Sequence, residues 1–401
     1  MNITVIGGGN IGTQFAVHSS DKGHSVKMFT SNPSRFSKHL FIVDKSDNVI
    51  KEGEIVLATS DPHEALQDAE MIMKTMPPTM MIPLAQIVYE NADPHAVIGF
   101  VPGNGGFEFA FRDCIERGNV LFGIDRVPAI ARLKERGRTV CCSGYKDRLY
   151  VAALPSSHTE ECAALIESIY DIPCVRLPGF MALTLTPSNP ILHTARLMTI
   201  FSDYEPGVTY ESLPLFYEEW DDASSELLLA CDDEIQDICR ALPWFGLEYV
   251  VSEREFYNAD TVEEMTYAIR TATPSVCSDA LDIKGRGLSG LRKRRKQRWQ
   301  RIEQHIKRRS DWREILEERR NRRREENTEG LIPDLHSRYF TADFPYGLSV
   351  IQQIGKIAGV AMPNIDKLIE WYDNIAIIND KLRLSDYGIT DVESLKEFYL
   401  T

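Results

Sequence analysis

The stretch NITVIGGGNIG, residues 2–12, decides the fold. Its apolar run, residues 3–6, reads as a β-strand, and Gly7, Gly9 and Gly12 follow it in GxGxxG spacing. Phe15 and Ala16 then open a helical pattern. In such a loop the first glycine makes the tight turn. The second lets a pyrophosphate approach the backbone, and the third lets helix and strand pack closely. The helix N-terminus adds unpaired N–H groups that favour phosphate. A strand before the glycines and a helix after them give this common spacing the context of a dinucleotide site. Gly7, Gly9, Asn10, Ile11 and Gly12 are the expected cofactor contacts.

Outward from the loop, HSVKMFT (residues 24–30) reads as the second strand. A site for NAD usually places Asp or Glu near the end of that strand, on the ribose 2′-hydroxyl. Here the segment is TSNPSR, with Ser31, Asn32 and Arg35 and no carboxylate. Hydroxyls and a guanidinium suit a 2′-phosphate, so NADP(H) is favoured, with NAD(H) as the alternative. The bland alternative makes Arg35 a solvated loop charge; Lys74, after the apolar MIM, could reach the adenosine end but reads rather as a surface lysine. Further strands are MIMKTM (71–76), followed by Pro77, and AVIGFVPG (96–103). Pro77 is an expected cofactor contact. Asn104, in the PGNGG turn on the nicotinamide side, is an expected substrate contact. Both lie at carboxyl ends of strands, where open parallel sheets bind ligands. NVLFGIDRV and RLYVAALP supply later strands, and Pro178–Gly179 closes this half.

Past Gly179 the apolar period changes from 2 to 3.6. In SELLLACDDEIQDICRALP, Leu228, Cys231, Ile235, Ile238 and Leu242 share a face, and Pro243 ends the helix. PYGLSVIQQIGKIAGVAMP reads the same way, with Gly359 as C-terminal cap and Pro363 beyond. The expected fold is therefore α/β plus all-α. A Rossmann-type domain (1–182) precedes a helical domain (183–401), with a substrate cleft between them. SNPILHTARL (188–197) enters that second domain. Ser188 or Asn189 is placed to cap a helix, Pro190 suits its first position, and His193 falls in the first turn. HSRYFTADFPYGL (336–348) brings Arg338 and Asp343 before another helix. Alone, the histidine reads as core and the aspartate as a cap. Together with the arginine they are the parts for acid–base work on a carboxylate substrate.

The length of 401 residues suits two domains. With 43% hydrophobic and 26% charged residues the composition is that of a globular protein. No run of eighteen apolar residues lacks a charge, so no transmembrane span is expected. The start is strand-like without a basic n-region, so no signal peptide is expected. The eight cysteines form no CxxC pair. That reads as a reduced, cytoplasmic complement with neither a disulfide framework nor a metal site.

The net charge of −14 is uneven, since residues 284–326 hold 18 Lys and Arg against 7 Asp and Glu. Trp299, Ile302 and Ile306 follow helical spacing, and Asp311 with Glu314 marks a fresh helix start. The block around 286–328 reads as a helical insertion: a solvated arm or a subunit contact, as in a homodimer. Its charge makes a polyanion the sharper alternative, although Trp299 and Trp312 alone make no stacking platform.

GGGNIG, VPGNGG, NPILHTARL and RYFTADFPYGL together resemble the octopine/nopaline (opine) dehydrogenase family. The resemblance covers most of the chain except the basic block. It implies NAD(P)H-dependent reductive condensation of an amino acid, or another amine, with a 2-oxo acid such as pyruvate through an imine. It places His193 on the family's catalytic histidine, Asp343 on the aspartate that polarises it, and Arg338 on the arginine that holds the oxo-acid carboxylate. The chain departs from the family where members often carry a glutamate that holds the amino substrate. Gly123 stands there, followed by Asp125 and Arg126. Asp125 is the expected substrate contact, and the amine is expected to differ from arginine or a simple neutral amino acid. Reduction of a ketone, as in ketopantoate or glycerol-phosphate reductases, is the alternative within this architecture. A nucleotide-binding protein without turnover is the non-enzymatic one.

Overall fold

The computed structural model describes residues 1–243, 246–272, 330–377 and 380–400. The basic block around 286–328 lies outside the described residues. The first half runs β1 (Asn2–Ile6), α1 (Asn10–Asp21), β2 (Ser25–Phe29), β3 (His39–Val43), β4 (Val49–Glu54) and β5 (Leu57–Thr59). It continues through α2 (Pro62–Leu66), β6 (Met71–Lys74), α3 (Met81–Asn91), β7 (Val97–Phe100), α4 (Phe107–Ala110) and α5 (Arg112–Arg117). Then come β8 (Leu121–Ile124), β9 (Ile130–Glu135), β10 (Thr139–Ser143), β11 (Leu149–Leu154), α6 (Thr159–Tyr170) and β12 (Cys174–Arg176).

Eight strands form one sheet in the order β12-β11-β8-β7-β6-β1-β2-β5. All neighbours pair parallel except β8 with β11. The chain builds outward from β1 on one side, then crosses to β6 on the other. The order reverses there, and the glycine loop sits at that switch point, where such sheets open a crevice for ligands. The interior strands β6 and β8 are buried on both faces, as strands of parallel sheets usually are.

A second sheet, β4-β3-β10-β9, was not foreseen from sequence. β3 pairs parallel with β10, about a hundred residues away, while the other two pairs are antiparallel. Its apolar residues Leu40, Ile42 and Val140 share a core with Phe15, Ala16 and Val17 of α1 and with Ile3 and Val5 of β1. α1 is thus packed between two sheets, which explains why residues 12–19 are buried without a break.

The second half is helical, as the change of period implies. α7 (Met181–Thr184), α8 (Asn189–Ile200), α9 (Asp222–Ala241), α10 (Glu253–Tyr257) and α11 (Val262–Ala272) come first. After them come a wide π-helical segment (Tyr339–Leu348), α12 (Ser349–Ile357), α13 (Pro363–Ile375) and α14 (Val392–Leu400). Asp221 caps α9 by accepting the Ser224 N–H, and Leu228, Cys231, Ile235 and Ile238 line its buried face. Gly359 adopts φ 71° beyond α12, the left-handed cap expected of it. One apolar core joins the halves: Ile72, Phe100 and Phe107 cluster with Leu183, Ile191, Phe344 and Val350. Among the described residues no helix is long and apolar enough to cross a membrane.

Candidate active site

The glycine loop carries out three separate tasks. Gly7 has φ 105°, which an L side chain rarely adopts, and a Cβ there would stand 2.7 Å from Met76. A Cβ on Gly12 would lie 1.8 Å from the Gly7 carbonyl oxygen, so helix and strand touch through hydrogen alone. A Cβ on Gly9 would meet nothing within 4 Å, which leaves the backbone open to a phosphate. Gly9 is the N-cap residue of α1, with no side-chain cap and no acidic residue in the first turn. That end of the helix fits an anion.

Asn10 opens α1, and its side-chain oxygen accepts the Leu133 N–H at 2.9 Å, tying α1 to β9. Ile11 is partly buried against the core shared by the two sheets. Thr75 donates through its hydroxyl to the carbonyls of Ile6 (3.0 Å) and Gly7 (3.1 Å), which holds the Pro77 turn against the loop.

Ser31, Asn32 and Arg35 lie in the turn after β2, with Arg35 exposed at the end of a short 3-10 turn. The Phe36 ring fills the space of a Cβ on Gly8 and so fixes this turn beside the glycine loop. Lys74 is not a surface residue, contrary to the sequence reading. It is 1% exposed, because β6 is an interior strand covered on both faces. Its ammonium lies 3.3 Å from the Phe107 ring centroid, and burial pushes its pKa well below the usual lysine range.

His193 gathers the second group of side chains. Its Nδ1 lies 2.8 Å from an Asp343 carboxylate oxygen, across 150 residues of sequence. A carboxylate only accepts, so the neutral ring carries its proton on Nδ1, and Nε2 accepts from the Tyr217 hydroxyl at 2.9 Å. The Tyr339 ring stands edge-on at 4.4 Å. The imidazole is 2% exposed. Burial lowers its pKa below the ordinary 6.5 and the Arg338 charge acts the same way, against the opposing pull of Asp343. The ring is thus held neutral beside a partner able to stabilise its charged form.

Asp343 lies within the wide turns of Tyr339–Leu348, which run straight into α12. Pro345 inside that segment has no N–H to give, and such widened turns recur at functional sites. Ser188 occupies the N-cap position of α8, at φ 116°, yet its side chain does not cap the helix. Its hydroxyl accepts instead from Arg126 at 3.2 Å. Asp125 accepts the Tyr150 N–H at 3.1 Å, and burial raises its pKa. Gly103 donates to the Ile124 carbonyl at 2.7 Å, so the loop carrying Asn104 lies against the end of β8. The turn 78–80 that follows Pro77 packs against the segment carrying Asp343. The ends of β7 and β8, the head of α8 and the segment carrying Asp343 are therefore linked by a chain of contacts.

Sequence reasoning missed Tyr217 and the residue that places it. Arg196, one turn beyond His193, is fully buried. It donates to the carbonyls of Leu215 (3.3 Å), Phe216 (3.0 Å) and Glu219 (2.5 Å) and pairs with Asp221 (2.7 Å). This clip shapes the irregular segment that presents Tyr217. The three-residue spacing from His193 was the signal, since it puts both side chains on one face of α8.

The comparisons with known proteins bear on both halves. Residues 176–376 match the NAD/NADP octopine/nopaline dehydrogenase α-helical domain family. Residues 2–102 match the N-terminus of NAD-dependent glycerol-3-phosphate dehydrogenase. The chain is 25% identical over 398 residues to octopine dehydrogenase of Pecten maximus, covering 92% of this chain and 89% of that one. It is 23% identical over 394 residues to tauropine dehydrogenase of Arabella iricolor, covering 92% and 90%. A solved octopine dehydrogenase structure with NADH and L-arginine superposes with a TM-score of 0.74 at 21% identity, over 98% of this chain and 97% of that one.

Proposed function

The chain belongs to the octopine/nopaline dehydrogenase family, a nicotinamide-dependent oxidoreductase of CH–NH groups; on that premise we propose that it joins an amino acid to a 2-oxo acid such as pyruvate. Residues 1–182 bind the dinucleotide and residues 183–401 supply the substrate site. The observation that carries the reading is the 2.8 Å contact between His193 and Asp343.

The main chain of Gly7, Gly9, Asn10 and Gly12 would hold the pyrophosphate, since the space at Gly9 is open and the helix end is uncapped. Ser31, Asn32 and Arg35 would hold a 2′-phosphate, which makes NADP(H) the preferred cofactor. When bound, the nicotinamide supplies the hydride that reduces the C=N bond.

His193 takes a proton from the ammonium of the amine at Nε2, through the Tyr217 hydroxyl that donates to it, and Asp343 stabilises the imidazolium that results. The freed amine attacks the oxo-acid carbonyl, and His193 returns the proton to the departing hydroxyl, which leaves as water. Arg338 holds the oxo-acid carboxylate by paired hydrogen bonds. Burial keeps the ring neutral and so free to accept a proton, while Asp343 offsets the basicity that burial takes away.

The test is NADPH and NADH oxidation across a matrix of 2-oxo acids and amino acids. The expected result is oxidation that requires both partners, with a secondary amine as product. Oxidation at an equal rate with the oxo acid alone would instead support a ketone reductase.

A further inference from the structure

Arg126 stands where the two halves meet, and nothing in the reaction as described uses it. It follows β8 directly after Asp125 and reaches across to α8, donating to Ser188 at 3.2 Å. Its guanidinium lies 3.7 Å from the Phe256 ring centroid, and Lys146 approaches the same ring at 5.4 Å. The nearest anion is Glu253, at 3.8 Å and without a hydrogen bond. Glu253 is 1% exposed, and neither carboxylate oxygen has a hydrogen-bond partner. A guanidinium normally forks onto a carboxylate through two short bonds. Here it is laid on an aromatic face and held loosely, so it can take a better-placed anion.

We propose that Arg126 determines which amine is used, selecting one that carries a second carboxylate, or a like oxyanion, at the end of a short side chain. The inference rests on the amine-condensing activity proposed above. Ser188 and His193 are five residues apart, about 7.5 Å along a helix. An amine nitrogen at the imidazole therefore places its α-carboxylate short of Arg126. A carboxylate two or three carbons further along a side chain reaches it. Lys146 reinforces the choice: two cations around Phe256 repel a substrate with a cationic side chain, the repulsive half of specificity. Glu253 acts as a placeholder. Burial raises its pKa to about 7, so at neutral pH its charge is weakly held and easily replaced by the substrate's.

The experiment compares glutamate, aspartate, alanine and arginine as amines with pyruvate, in wild type, Arg126→Gln and Glu253→Gln, with melting temperatures alongside. In wild type the acidic amino acids should have the highest kcat/KM. Arg126→Gln should raise KM for the best acidic amine by about tenfold or more and leave kcat within a few-fold, since a remote contact is the same in ground and transition states. KM for alanine should change less than threefold. Glu253→Gln, which removes the competing anion, should lower the acidic KM. An equal KM rise for glutamate and alanine would overturn the assignment, as would a wild type that prefers alanine or arginine. If Arg126→Gln does not fold, the wild-type ranking and Glu253→Gln decide the question. Amine-independent oxidation, or none with any amine, would overturn the underlying activity rather than the role of Arg126 alone.

Discussion

Two buried histidines occupy the two halves of the molecule, and they differ in what touches the ring. His18 on α1 is 3% exposed, with Nε2 3.1 Å from the Tyr145 hydroxyl and no hydrogen-bond partner at Nδ1. Two carboxylates are close enough to act on it, but Lys51 holds Asp21 and Lys22 holds Asp171, each at 2.6 Å. Burial therefore dominates and lowers the His18 pKa to about 4. His193 is equally buried, yet a carboxylate and a hydroxyl address its two nitrogens. Burial alone makes an imidazole that refuses a proton. Burial with a dedicated carboxylate makes one that can take a proton and give it back.

The largest expected effect separates the two directly. His193→Ala should lower turnover by roughly a hundredfold or more, the scale of acid–base catalysis. His18→Gln should leave it within a few-fold. Steady-state rates with saturating amine, oxo acid and NADPH check both, and similar losses at the two sites would erase the distinction.

Acid stability sharpens it from the other side. His18 binds a proton near pH 6.5 when unfolded and only near pH 4 when folded. Below pH 6.5 the unfolded state gains the proton first, so stability falls as pH drops and the loss is complete near pH 4. The loss amounts to roughly 3 kcal/mol from a shift of this size. Urea unfolding at steps between pH 7 and 4 should show a shallower decline in His18→Gln than in wild type. Parallel curves would remove His18 from the account.

The smallest effect is expected at Arg35, exposed in the turn after β2 and proposed to meet the cofactor's 2′-phosphate. Arg35→Ala should weaken NADPH by about tenfold and leave NADH nearly unchanged. Fluorescence titration of each cofactor reads this, and equal affinities in the wild type would refute the 2′-phosphate assignment.

The glycine loop, the parallel strands and α8 were legible in the sequence because each depends on local spacing. The second sheet was not. β9 (IARLKE) mixes charge with apolar residues, and β3 finds its parallel partner β10 only through the tertiary fold. Lys74 was misread by its residue type, although an interior parallel strand implies burial at every position. His193, Asp343 and Arg338 were named from sequence, and the fold gathers the three into one cluster. Tyr217 was missed because its segment has no period, and Arg196 holds it from inside the domain. The Asn10 side chain and the Ser188 hydroxyl have tertiary partners, Leu133 and Arg126, that no local motif encodes.

The central claim is that His193 and Asp343 act as one unit, and a double-mutant cycle on turnover tests it most directly. His193→Ala and Asp343→Asn should each be severe, and the double variant should be little worse than His193→Ala alone. Cofactor affinity should be retained throughout, because neither residue touches the glycine loop. Losses that multiply across the two sites, or a His193→Ala enzyme with near-normal turnover and a lowered melting temperature, would contradict the account and return this histidine to the packing of α8.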